Sequence, residues 1–396
     1  MLRKNSTGEI TQNQKEIADI LNKNFQDVFV REDEGPMPFF ESKTAELFNM
    51  TSDDIKYEDV VENLDENKAC GVDNLNPSIL KNCASAFAIP LTLIFKESFE
   101  SSRLPIQFRS ANITPLYKKG DKTLPGNYRP VSLTSIACKI MEGIIRHRLE
   151  NFLYKFKLLA KQQHGFVKNK SCTTNLLEPL DFISASLENG TPVDVVLLDF
   201  AKAFDTVPHK RLLLKLTAYG ISGLTLQWIE SFLKNRKQRV VLGEHESSWE
   251  EIFSGVPQGS VIGPLLFVLF INDLPEILMN ITKLYADDTK IMNEMSTAAS
   301  TLSLQSDLDV AFKWTQDWLV KFNIAKCMVM HYGHNNKKSP LFIDGQQLNA
   351  TESERDLGVI FSNNLKWRNQ IITCVGKANQ ILGMIRNVLF TWTLNF

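Results

Sequence analysis

VDVVLLDF at residues 193–200 and KLYADDTKIM at residues 283–292 decide how this chain folds. The first is a nearly unbroken run of branched apolar residues ending on an acid. That is the pattern of a strand buried on both faces that delivers one carboxylate, Asp199, at its tip. The second sets two short apolar arms about an Asp-Asp pair, the pattern of a tight β-hairpin carrying Asp287 and Asp288 at its turn. Acids at strand ends beside apolar runs are costly unless something positive fills the gap between them. Two Mg²⁺ ions about 3.5–4 Å apart on shared carboxylates would meet that need and support in-line phosphoryl transfer. Turn acids facing water are the plainer alternative for an isolated Asp-Asp pair.

Helical patterns flank these strands. AKAFDTVPHKRLLLKLTAYG at 201–220 and LTLQWIESFLKNR at 224–236 read as helices that follow the first strand. Upstream, SIACKIMEGIIRHRLENFL reads as a helix over 135–153, and Pro77 opens another over 77–103. Between them ANITPLYKK is a short strand, followed by a loop rich in turn residues and hydrogen-bond donors. Ile17, Ile20, Leu21, Phe25 and Val28, with Ile10, mark an amphipathic helix over 10–30. Thr51 starts a capping pattern for a helix ending at Gly71.

The chain has 396 residues, 43% of them apolar, enough for two or three packed units and too many for a disulfide scaffold or a disordered tail. Its formal net charge is −1, but the charge is sorted. Residues 9–66 hold sixteen acids against five bases; residues 118–170 hold twelve bases against three acids, and residues 210–239 seven against one. The basic stretches could form a track for a polyanion, or be ordinary solvated helix faces. Six scattered cysteines without a C-x-x-C pair suggest reduced thiols in an intracellular protein. Cys327, His331 and His334 have a spacing that three metal ligands could use, yet strand alternation would point them apart. The longest greasy stretch, 261–271, is too short to span a membrane, so no membrane partner is expected.

Six blocks in one order resemble the non-LTR (LINE-type, jockey-like) retrotransposon reverse transcriptases, from about residue 63 to about residue 387. NITPLYKKGDKTLPGNYRPVSL resembles their fingers block, VVLLDFAKAFDTVPH motif A, SGVPQGSVIGPLLFVLFINDLP motif B and LYADDTKI motif C. WLVKFNIAKCMVMHYG resembles motif D, and RDLGVIFSNNLKW the strand pair after the palm. The resemblance implies an α+β right-hand polymerase: an N-terminal linker with helices over 1–62, fingers over 63–190, a palm over 191–365 built as an antiparallel sheet with packed helices, and the start of a truncated thumb over 366–396. It implies that Asp199, Asp287 and Asp288, with the carbonyl of Phe200, hold two Mg²⁺ ions, with Mn²⁺ as the substitute.

By the same resemblance Phe204 closes against the sugar 2′ position, the alternative being a core phenylalanine at a helix start. Gln258 and Gly259 meet the base pair being formed, or simply make a loop between strand and helix. Arg129, Lys118 and Lys119 meet the triphosphate, although exposed lysines are usually solvated. Lys326 is a proton donor to the leaving pyrophosphate, and Asp205 is structural. The implied reaction is RNA-directed DNA synthesis, with an RNA template, a DNA primer, deoxynucleoside triphosphates and a separately supplied endonuclease, in the nucleus. Two alternatives stay open: an inactive nucleic-acid-binding remnant, and a group II intron-type maturase.

Overall fold

The computed structural model describes residues 1–3, 8–32, 35–62 and 70–393. They form two compact units, each assembled from three segments. Part of the helix expected to end at Gly71 lies outside the described residues; what is seen of it is Tyr57–Glu62, after a turn that Thr51 and Asp54 close as a capping box.

The first unit comprises Met1–Phe166, Phe200–Glu276 and Lys313–Lys321. Its sheet is mixed: strand Ser110–Tyr117 pairs antiparallel with Tyr128–Thr134 and parallel with Arg236–Leu242. Helix Gln14–Gln26, capped by the Asn13 side chain, lies against it and buries Ile17, Leu21 and Phe25 with Ala111, Ile113 and Val240. Ile10 is not on that helix but in a two-residue strand, and it is exposed. The apolar stretch at 263–271 is a helix buried on every side, as its lack of polar residues requires.

Two expected helices are broken. The 77–103 pattern splits at Cys83, whose backbone leaves the helical region at φ −109° and ψ 26°. The 201–220 pattern splits into Ala203–Thr206 and His209–Ala218, because Val207 precedes Pro208 and is forced out to ψ 116°.

The second unit comprises Val167–Asp199, Ile277–Phe312 and Phe322–Phe396. Its five-stranded sheet runs in the order Asn349–Ala350, Met328–Tyr332, Val193–Leu198, Asp288–Glu294, Ile281–Tyr285. The acid-bearing strand Val193–Leu198 therefore lies at the centre, antiparallel to both neighbours. Helix Cys172–Glu188 covers one face through Ile183, which packs with Val193, Val195, Met292, Met330 and Tyr332. A two-stranded ribbon, Ser353–Asp356 with Val359–Ser362, precedes the long helix Arg368–Thr393. Among the described residues no helix is long and apolar enough to cross a membrane.

Candidate active site

In the second unit, Thr289 pairs with Leu198 across antiparallel strands. One step beyond that pair, at the same end of the two strands, stand Asp288 and Asp199. The hairpin is tighter than a turn holding both acids: Asp288 pairs with Tyr285, so the loop is only Ala286 and Asp287, and Asp288 opens the returning strand. Asp199 has its backbone fixed on both sides. Its carbonyl accepts from the Asn323 N–H (2.7 Å), and its own N–H donates to the Cys327 sulfur (3.4 Å). Lys326 donates from Nζ to Asp199 Oδ2 (3.0 Å) from an exposed position. A cleft of about 120 Å³ opens here, lined among others by Asp199, Asp288, Lys326 and Asp356.

Asp288 stays open to solvent, yet its carboxyl is raised to about 6. Lost hydration in the cleft contributes most, followed by repulsion from Asp287, Asp356 and Asp199, with Lys290 pulling the other way. Repulsion is the part that an added cation would relieve.

The other expected site residues lie in the first unit. Arg129 stands opposite Leu116 in the antiparallel pair, exposed; Lys118 and Lys119, also exposed, follow at the end of the partner strand. Phe204, half-buried, stacks on Phe267 with centroids 4.4 Å apart and meets Phe166 edge-on at 6.3 Å. Gln258 does not point at an empty space: its side-chain Nε2 donates to Asp205 Oδ1 (2.8 Å), while its backbone carbonyl accepts from the Ser132 N–H (2.7 Å). Gly259 has φ +118°, and a Cβ there would lie 2.4 Å from the Ser132 carbonyl oxygen, so the loop and the strand Tyr128–Thr134 can meet only through a glycine. The buried Glu142 carboxylate completes the loop's support by accepting from the N–H groups of Val261 (2.6 Å) and Ile262 (3.1 Å).

Residues 116–367 match the reverse transcriptase (RNA-dependent DNA polymerase) family. The chain belongs to that family. It is 31% identical over 313 residues to the RNA-directed DNA polymerase from mobile element jockey of Drosophila melanogaster, covering 76% of this chain and 34% of the relative. The Drosophila funebris jockey polymerase is 30% identical over 336 residues, covering 81% of this chain and 36% of the relative. The probable RNA-directed DNA polymerase from transposon BS of D. melanogaster is 24% identical over 423 residues, covering 98% and 44%. The chain thus spans roughly a third to under half of these curated relatives.

Reverse transcriptases work with divalent metal ions and nucleic-acid substrates, and the donor set here fits hard cations: all its ligands are oxygens, and the negative charge around Asp288 is incompletely balanced. The side chains do not form a finished cage. Among the described residues no three His, Cys, Asp or Glu side chains are gathered closely enough to hold a metal, and Asp199 is turned to Lys326 instead. Phe200, the residue after Asp199, is buried with its ring edge-on to Trp314. Cys327 and His331 have separate partners: the Cys327 thiol, pushed up to about 11 chiefly by burial, faces Asp199, while His331 Nδ1 bonds Asp194 Oδ1 at 2.7 Å.

Two features of this chain were not read from its sequence. The basic stretch at 210–239 is partly interior: Arg211 pairs with Glu32, Lys215 with Asp273, and Arg236 donates to the carbonyls of Phe108 and Phe232. Those three side chains are buried, so they cannot belong to a surface track. The second omission is the ion pair of buried Lys290 with half-buried Asp356, beside the acids. A lysine next to Ile291 and Met292 in the returning arm was its sequence signal.

Proposed function

We propose that this chain carries the polymerase chemistry of a non-LTR retrotransposon, extending a DNA primer 3′ end with deoxynucleotides on an RNA template. What supports the reading most is the antiparallel register that puts Asp199 and Asp288 at one end of adjacent central strands, within a chain of this family. Asp199, Asp287, Asp288 and the Phe200 carbonyl would hold two Mg²⁺ ions, with Mn²⁺ able to replace them. Bound there, such ions favour ionisation of the primer hydroxyl and balance charge on the triphosphate and departing pyrophosphate.

The side chains do the rest. Phe204, braced by Phe267, excludes a ribose 2′-hydroxyl and so prefers a deoxyribonucleotide. Gly259 lets the backbone approach the nascent base pair, and Gln258 holds that loop through Asp205 while lying beside the pair. Arg129, with Lys118 and Lys119, binds the triphosphate. Lys326 gives up Asp199 and passes a proton to the pyrophosphate as the Pα–O bond breaks and the 3′-oxygen bond forms. In this reading residues 1–62 precede the fingers, 63–190 are fingers, 191–365 palm, and 366–396 begin a thumb. The work is done in the nucleus.

Primer extension on an annealed RNA template with deoxynucleotides and Mg²⁺ tests this. Incorporation by the parent that is lost in a folded Asp287→Ala/Asp288→Ala variant is the expected result. A well-folded parent that binds the duplex but incorporates nothing would instead establish an inactive remnant.

A further inference from the structure

Lys290 is two residues beyond Asp288 on the same strand and therefore on the same face of it. Its side chain is 3% exposed, an unusual place for an ammonium. It forms an ion pair with Asp356 and donates from Nζ to Asn175 Oδ1 (2.8 Å). Asn175, fully buried near the start of helix Cys172–Glu188, donates from Nδ2 to the Leu284 carbonyl (3.0 Å). The amide orientation is settled by its partners, since the ammonium can only donate and the carbonyl can only accept.

One side chain thus clasps both arms of the hairpin. Asn175 holds the incoming strand at Leu284, two residues before the loop, and the outgoing strand at Lys290. Lys290 then reaches Asp356, which ends the strand Ser353–Asp356 and lines the same cleft as Asp199 and Asp288. An apolar pair would fill this space at lower desolvation cost, so stability alone does not account for it.

We propose that Asn175, Lys290 and Asp356 are positioning residues that fix the hairpin bearing Asp287 and Asp288 against the helix and the ribbon, and so set the geometry in which those acids take a divalent cation. This rests on the reading of the acids as metal ligands. Groups that orient metal ligands without touching the metal commonly govern its affinity by about 10- to 100-fold.

The test is Mn²⁺ binding to the full chain, followed by electron paramagnetic resonance, with circular dichroism and thermal melting as folding controls. Two variants leave the net charge unchanged: Asn175→Ala, which removes the clasp, and Lys290→Met/Asp356→Leu, which removes both buried charges together. Each is expected to weaken Mn²⁺ binding about 10-fold while folded, with kcat for incorporation reduced and KM for the deoxynucleotide little changed. The double variant is expected to melt only modestly below the parent, because no charge is left unpaired and the cost is that of the Asn175 amide oxygen losing its donor. Parent-like Mn²⁺ affinity in either folded variant overturns the proposal and makes the network structural only. Should the Asp287→Ala/Asp288→Ala variant bind Mn²⁺ like the parent, the metal reading of the acids fails instead, a result distinguishable from the first.

Discussion

Asp205 in the first unit and Asp288 in the second have the same raised carboxyl, about 6, and lost hydration leads in both, but their charged neighbours differ in sign. Asp205 is half-buried, lost hydration raises it, and the chain answers: Gln258 hydrogen-bonds it, and Lys202, Lys118 and Arg129 draw it back down. Asp288 is exposed, and after lost hydration it is raised further by three carboxylates, Asp287, Asp356 and Asp199, with Lys290 pulling the other way. The contrast sets a carboxylate braced by donors and cations beside one crowded by other acids, which is the environment the proposed metal role of Asp288 would use. A shifted acid by itself would not tell the two apart; the sign of its neighbours does.

The widest separation is expected in activity. On the proposed reading, Asp288→Asn should lower incorporation by about 10²-fold or more, since it removes a carboxylate that would hold the metal balancing the triphosphate charge. Asp205→Asn, which can still accept from Gln258, should cost less than about 10-fold. Single-turnover primer extension measures both, and equal losses would erase the distinction.

Next in size is the fully compensated extreme of the first unit. Lys215 is completely buried, paired with Asp273 and set over Trp318 at 3.6 Å, and its ammonium is lowered to about 8, mainly by burial. Lys215→Met leaves Asp273 buried without its counter-charge, though still accepting from Trp314 Nε1 (2.8 Å), and should cost about 3–5 kcal/mol in urea unfolding. Lys215→Met/Asp273→Leu should recover most of it; a double variant as unstable as the single would mean that packing, not charge, was lost.

A pH series sharpens the comparison further. Because the folded-state value of Asp205 lies above its ordinary 3.8, the native chain holds that proton more tightly than the unfolded chain. This contribution is present below about pH 4 and lost as pH rises to about 6, amounting to about 3 kcal/mol. Asp205→Asn should therefore be more stable than the parent above pH 6, by up to that amount, and should match it near pH 4. The gain should persist with divalent ions present. Asp288→Asn should bring a smaller gain, confined to metal-free buffer, because a bound cation already removes the repulsion it relieves. Thermal melts with and without Mn²⁺ check this; a metal-independent gain at Asp288 would place it with Asp205.

What could be read from the sequence follows the range over which each interaction acts. The apolar run ending in Asp199 and the two arms around Asp287-Asp288 are local patterns, and both became neighbouring strands of one sheet. The helix breaks at Cys83 and Pro208 interrupt patterns whose apolar spacing continued across them, and only the second carried a signal, its proline. The contacts of Gln258 with Asp205, and of Lys290 with Asn175 and Asp356, join residues 53 or more positions apart, so no local spacing encodes them. Charge counting failed at 210–239 for a related reason: Arg211, Lys215 and Arg236 find their partners only once the chain is packed.

The smallest expected effect is at Ala286, the first loop residue between the hairpin arms, which is buried and has φ +55°. That conformation costs an L-residue about 1–2 kcal/mol, which glycine would recover. Against it, Ala286→Gly gives up a buried methyl, about 0.8 kcal/mol, and frees the unfolded chain by a further 0.5–1 kcal/mol or so. The terms nearly cancel, so the unfolding free energy from urea titration should change by less than about 1 kcal/mol. Glycine would also widen the conformations open to Asp287 and Asp288, whereas Ala286 and the Asn175 clasp both narrow them. Ala286→Gly is therefore expected to weaken Mn²⁺ binding severalfold at unchanged stability, a loss felt by the acids of the second unit and not by Asp205. Unchanged binding would mean that the strands alone fix the hairpin, and that the loop residue adds nothing to the geometry of its acids.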